Sequence, residues 1–217
     1  MTGVPVKPEY RPTLPSLLAP RWDRAPRPAR VLAVLAAVLF VALAVGLVLT
    51  LLNSTYSRGG RVPFHFDYRG LYRTTPEAGG YVRVRSPAHG AALKYSFAVN
   101  PLKLPAYRGS SAGEVPIFAA GLIGALRRSY PDFVLQGEGK SRLSSTLSGY
   151  QIAFTATVAG RPMMVREVLL VPERPGAREG LRIVMLTAPG ADSQITSPLE
   201  IATTGVLQRP LKTFSFS

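Results

Sequence analysis

From Val31 to Leu52 the chain runs for 22 residues without a charge, with eight Leu, six Val and Phe40 among them. Thr50 is the one conventionally polar residue of the run and Gly46 the one glycine, so no polar face is spelled out at helical spacing. As a helix the stretch is roughly 33 Å long, enough for a hydrocarbon core of about 30 Å. At about −0.3 to −0.6 kcal/mol for each Leu, Val and Phe, insertion is favoured by about 5 to 9 kcal/mol. A secretory signal core is shorter, about 7 to 15 residues, and ends in a small-x-small cleavage site. The following "LLNSTYSRGG" has no Ala-x-Ala. The pattern therefore predicts an uncleaved transmembrane helix over residues 30–53, with the lipid bilayer as the partner of Val31–Leu52. Arg21, Arg24, Arg27 and Arg30 lie before it, and Arg58 and Arg61 after it. This bias predicts a single-pass protein of the cell membrane, N-terminus in the cytoplasm and C-terminal domain outside.

The flanks have other patterns. Residues 1–29 hold seven prolines and no apolar period, which predicts a disordered Pro/Arg-rich cytoplasmic tail. Pro5-x-x-Pro8 and Pro12-x-x-Pro15 formally match a polyproline groove ligand, and Trp22 suits a membrane interface. Residues 54–80, with the aromatic island "VPFHFDYRGLY", read as a stalk or edge segment. From 81 to 217 the positions become regular. Tyr81–Ser86 alternates, with Arg83 and Arg85 on the polar side, and Ala92–Val99 makes a second strand that ends at Asn100-Pro101. Pro116 opens a helix to about Tyr130, with Ile117, Phe118, Leu122, Ile123, Leu126 and Tyr130 as its apolar stripe. "DFVLQGEGKSRLSS" gives short strands. "GYQIAFTATVAGRPMMVREVLLVPE" reads as a hairpin turning at Ala159-Gly160, and Leu181–Pro189 returns as a third strand. "SPLE" makes a capping box at Ser197, Pro198 and Glu200 for a helix to about Gln208, where Pro210 ends or kinks it. Leu211, Phe214 and Phe216 close the chain as packing residues.

This order of elements resembles the PsbP-like fold, and among its members the bacterial exported proteins of the LpqN type. "GYQIAFTAT", "REVLLVPE", "GLRIVMLTAP" and "SPLEIATTGVLQRPLKTFSFS" carry the resemblance, over roughly residues 81–217. It implies an α+β domain whose antiparallel sheet is flanked by helices, and an accessory or binding module with no enzyme activity. The chain departs from the lipoprotein members in offering a helix where they carry a lipidated cysteine.

Composition narrows the chemistry. With no cysteine, disulfides, thiolate nucleophiles and cysteine metal sites are excluded. Past Asn53 there are twenty Lys and Arg against ten Asp and Glu. Such a surface could meet an anionic polymer or lipid. Yet no basic block of five occurs there, and no nucleic acid is expected. "GSSAG" (Gly109–Gly113) matches a nucleophile elbow around Ser111, but that chemistry needs a histidine downstream, and His65 and His89 both precede it. "GKS" (Gly139–Ser141) lacks the glycine five residues earlier, where Val134 stands. His65 and Asp67 are two possible metal ligands on one strand face, too few for a site. Glu138, Glu173 and Glu179 read as solvated acids, and "NST" (Asn53–Thr55) lies against the predicted membrane. The sequence thus nominates no catalytic, cofactor-binding or metal residues. It leads to a membrane-anchored extracytoplasmic module that binds an envelope protein or small ligand. An anionic polymer or lipid binder is the alternative, and a hydrolase a weaker one.

Overall fold

The structure is a computed structural model that describes residues 26–51, 53–86, 93–106, 110–143, 147–172 and 177–217. The chain divides into two units, over residues 1–51 and 52–217. In the first, α1 (Arg27–Leu51) is one continuous helix of 25 residues. The described side chains from 27 to 46 are exposed all round, Phe40 to 73 %. Over Arg27–Gly46 the helix reaches a mean hydropathy of 2.5, long and apolar enough to cross a membrane by length and composition.

The second unit begins with the segment expected to be a stalk or edge. It both packs on the domain and supplies edge strands, and it reaches further than one edge: it forms three strands in two sheets. β1 (Asn53–Arg58) and β2 (Phe64–Arg69) pair with each other, and β3 (Tyr72–Thr74) joins another sheet. The pattern of "FHFDYR" explains the first pair, because Phe64 and Phe66 alternate inward and are fully buried. β4 (Val82–Arg85), β5 (Tyr95–Lys103), β6 (Val134–Arg142), β7 (Ser148–Val158), β8 (Arg161–Leu170) and β9 (Glu179–Thr187) complete a seven-stranded antiparallel sheet in the order β3-β4-β5-β9-β8-β7-β6. β10 (Ser215–Phe216) adds to β2, giving a small sheet in the order β1-β2-β10.

Several elements differ from expectation for local reasons. β5 does not stop at Asn100-Pro101. On the β4 side the last bond is Tyr81 N–H to Val99 O, so the missing N–H of Pro101 faces a neighbour that has already left. On the other side Pro101 stays in register with Leu181 of β9. The first domain helix, α2 (Ser111–Ser129), starts five residues before Pro116. Its buried stripe is accordingly Val115, Ala119, Ile123 and Leu126, with Phe118, Leu122 and Tyr130 half-buried, while Ile117 faces out at 69 % exposure. The β7–β8 turn is the one the dipeptide predicts: Ala159 (φ 52°) and Gly160 (φ 75°) are both left-handed, as a tight two-residue hairpin turn needs.

The capping box at Ser197 forms, but it opens no long helix. Ser197 N–H donates to Glu200 Oε2 at 3.0 Å and Leu199 N–H to Ser197 Oγ at 3.3 Å, around one 3₁₀ turn, Pro198–Glu200. Ala202 (φ 66°) and Gly205 (φ 70°) then reverse the backbone, and Thr203 and Thr204 between them are poor helix formers. Helix resumes as α3 (Gln208–Lys212), with Pro210 in its first turn, where its lacking N–H has no partner to lose.

Alternation along the strands divides the core. One face of the large sheet sends Val82, Val84, Phe97, Val99, Val168, Ile183 and Met185 against Phe64, Phe66, Leu211 and Phe214. The other sends Ile152, Phe154, Met163, Val165, Leu169 and Leu186 against α2. Only one face is therefore covered by a long helix. The other is covered by the small sheet and the chain after Ser197, not by the helix expected there.

Candidate functional site

β8 places two charged residues side by side in sequence, and strand geometry sends them to opposite faces. Arg166 points to the small-sheet side and is only 7 % exposed. Its Nη2 donates to Gln151 Oε1 at 2.7 Å and Ser141 Oγ at 3.1 Å, its Nε to Gln151 Oε1 at 3.1 Å, and its Nη1 to the Ile201 carbonyl at 2.6 Å. Every described acceptor is neutral. Burial alone holds the Arg166 pKa below its ordinary value. The guanidinium thus ties β6, β7 and the turn after Ser197 to β8. Glu167, 2 % exposed, lies under α2 and accepts two bonds from Arg182, 2.8 Å from Nε and 2.6 Å from Nη2. Burial pulls the Arg182 pKa down, but this two-pronged bond outweighs it and the net direction is up.

The outward face of the small sheet gathers hydroxyls around a histidine. His65 Nδ1 lies 3.0 Å from Ser217 Oγ, and Nε2 lies 3.0 Å from Ser215 Oγ. Asp67, the next outward residue of β2, does not bond His65. It accepts from Thr55 Oγ1 at 2.7 Å and stands 3.7 Å from Arg209 Nη2. The group is exposed, and the acid does not orient the imidazole as a nucleophilic triad requires. Among the described residues no three His, Asp or Glu could hold a metal. Sequence order missed the His65–serine cluster because the serines come from β10 and the residue after it, joined to β2 only by the folded sheet.

The other sequence candidates scatter. Ser111 is the first residue of α2, while Gly109, His89 and Glu173 lie outside the described residues, as do the proline motifs and Trp22. Gly139–Ser141 lies within β6, paired with β7, so it is a strand and not a phosphate-binding loop. Glu138 is in the same strand, accepting from Tyr150 Oη at 3.3 Å, rather than in a turn. Asn53 starts β1. Arg83 donates to Ser96 and Glu77, and Arg85 donates to Tyr72 Oη at 2.8 Å.

One concave feature assembles groups that no local motif announces. A cavity of about 280 Å³ opens where the end of β1 and the β1–β2 connection meet the ends of β5 and β9. Arg58, Arg61 and Lys103 line it with one acid, Glu179, and with Tyr81 and Gly180. The Arg58 guanidinium stands 3.9 Å above the Tyr81 ring, and Arg61 Nη1 lies 3.0 Å from Glu179 Oε1. Gly180 is required by packing: a Cβ there would come within 2.1 Å of the Leu170 carbonyl oxygen.

An antiparallel sheet with a long helix on one face and a small sheet on the other defines an α+β fold that is also found among solved structures. The structure of LpqN, described as involved in cell envelope biogenesis of Mycobacterium tuberculosis, matches with a TM-score of 0.51 at 11 % identity, over 76 % of this chain and 91 % of that one. The yeast Ran-binding protein Mog1p matches with a TM-score of 0.47 at 9 % identity, over 75 % of this chain and 94 % of that one. No protein-family profile and no curated sequence matches the chain. The likeness to LpqN is one of fold, and at that level it agrees with the resemblance read from the strand and turn patterns.

Proposed function

We propose that this chain is a membrane-anchored, non-catalytic accessory module of the cell envelope, holding its α+β domain outside the membrane to bind an envelope protein or a small ligand. The observation that carries the reading is α1. A helix apolar on every side, left uncovered by the described residues of its own unit, is stable in lipid and not in water. Only residue 52 separates it along the chain from a compact sheet domain. LpqN, which shares the fold, is described as involved in cell envelope biogenesis, and this supports an envelope role by analogy. The His65 cluster supports a non-catalytic role, since its acid is engaged by Thr55 and Arg209. The arginine excess gives less support to a broad polyanion surface. Arg83, Arg85, Arg166 and Arg182 are all engaged within the domain.

Protease added to intact spheroplasts tests the anchor. The domain should be digested while an N-terminal fragment ending in α1 stays protected. A mature protein that starts near residue 55 would overturn the anchor. Crosslinking of intact membranes through the domain should recover one reproducible envelope partner or ligand, and a domain that crosslinks to nothing would count against the binding role.

A further inference from the structure

We propose that the cavity between the ends of β1, β5 and β9 is a binding site for a small phosphorylated polyol. Arg58 and Lys103 hold the phosphomonoester, and Glu179 accepts from the hydroxyls. This rests on reading the domain as a binding module and names a ligand class for it.

Charge selects the phosphate. Three cations and one carboxylate line the cavity, and a phosphomonoester carries about −1.5 to −2 at pH 7. A lone carboxylate would leave the excess unmatched. Geometry selects the roles. The Tyr81 ring holds the Arg58 guanidinium in place by its face, which leaves the in-plane N–H groups available. Among the described residues these N–H groups and the Lys103 ammonium have no hydrogen-bond or ion-pair partner. A planar donor fork suits a phosphate, and the Tyr81 ring orients it without burying it. Arg61 is different. Its side chain is 87 % exposed, and its pair with Glu179 is a solvent-screened surface ion pair that is easily exchanged. It can turn to the phosphate and free the carboxylate, an acceptor with no donors of its own, for ligand hydroxyls. The volume of about 280 Å³, half open to solvent, has room for a small molecule.

The test is calorimetric titration of the full chain in uncharged detergent micelles. Glycerol 3-phosphate, inorganic phosphate and glycerol are compared in separate titrations, and vesicles doped with phosphatidic acid are assayed by flotation. Glycerol 3-phosphate should bind saturably and at least fivefold more tightly than inorganic phosphate, and glycerol should give no heat. The double variant Arg58→Gln/Lys103→Gln should bind glycerol 3-phosphate at least tenfold more weakly, with an unchanged thermal unfolding curve because both side chains are exposed. Glu179→Gln should remove the preference for glycerol 3-phosphate over inorganic phosphate. Absence of binding, or binding unaffected by the double variant, overturns the proposal. So does a vesicle interaction lost in the double variant while glycerol 3-phosphate stays silent, which would assign the cations to a lipid headgroup. If the cavity is silent but membrane crosslinking still finds a partner, the ligand class fails and the binding-module reading stands. If both fail, that reading falls with it.

Discussion

The two faces of the large sheet bury charge in opposite ways. On the α2 side a carboxylate and a guanidinium neutralise each other, with Glu167 2 % exposed and both prongs of the bond made. On the small-sheet side the Arg166 guanidinium is buried at 7 % exposure among a side-chain amide, a hydroxyl and a backbone carbonyl. Their surroundings differ as well. The α2 side is mainly aliphatic, whereas the small-sheet side is built on aromatic contacts, with Phe66–Phe97 centroids 5.0 Å apart and Phe64–Phe214 5.4 Å apart. The lesson concerns what each charge organises. The ion pair links neighbouring strands β8 and β9, which already share a ladder. Arg166 instead holds an irregular turn, after Ser197, that has no ladder of its own.

Breaking the aromatic side should have the largest effect. Phe214→Ala is expected to destabilise the domain by about 3–5 kcal/mol, read from chemical denaturation, because it removes a ring 1 % exposed and leaves a cavity. A neutral result would mean that the chain after α3 contributes nothing to the seam. On the other side Glu167→Gln should cost about 3 kcal/mol, since it leaves Arg182 without its counter-charge. The double change Glu167→Met/Arg182→Met should cost less than the single one, because replacing a buried pair by apolar groups is often near neutral. If the double variant is the less stable, the pair does more than cancel its own charges.

Arg166→Met sharpens the contrast. It removes the charge and leaves neutral acceptors unfilled, for an expected loss of about 1–3 kcal/mol. Hydrogen exchange should then rise around Ile201 and Ala202 while the β7–β8 ladder keeps its protection. A uniform loss of protection would show that Arg166 does not serve that turn in particular. The smallest effect belongs to the box that the same arginine overlooks. Ser197→Ala should cost about 0.5 kcal/mol, the low end for a cap, since it closes one 3₁₀ turn only. Glu200 accepts from the N–H and hydroxyl of Thr196 and the N–H of Ser197, which hold its carboxyl below the usual range. A depressed folded pKa stabilises above the ordinary carboxylate range, and that contribution is lost as pH falls through the depressed value. Glu200→Gln should therefore cost a little stability at neutral pH, leave the acid end almost unchanged, and so flatten the fall between the two. An acid limb of unchanged slope would assign that dependence to other carboxyls, of which Asp132, held low by Thr157, is the first to examine.

Where one residue type decided a local geometry, the sequence was readable. Ala159-Gly160 turned the hairpin and Tyr81–Ser86 alternated as a strand. Ser197 and Glu200 made their box. The length of what followed the box was not readable, because two left-handed residues and two threonines stop a helix that the cap alone would start. The start of α2 escaped because Pro116 is a strong local signal, yet it is tolerated one turn inside. The small sheet escaped because β10 is two residues long and gains its meaning only beside β2. The cavity draws on residues around 58, 81, 103 and 179, and none of those stretches holds a motif. Its charges meet only through the crossing of chain segments.

The pairing of β2 with β10 also sets an order of events. Ser215 bonds His65 across 150 residues, and closing a loop of that length costs about 4 kcal/mol of chain entropy. The seam over Phe64, Phe66 and Phe97 therefore waits for a distant segment, whereas the β7–β8 hairpin can form as soon as its own residues exist. A chain emerging from the ribosome carries that aromatic surface open until residue 214 has been made, and the step that covers it comes late. Contacts formed after the folding barrier act mainly on escape from the native state. Phe214→Ala should accordingly appear in a chevron plot as faster unfolding with refolding almost unaltered, and slowed refolding would place the latch early instead.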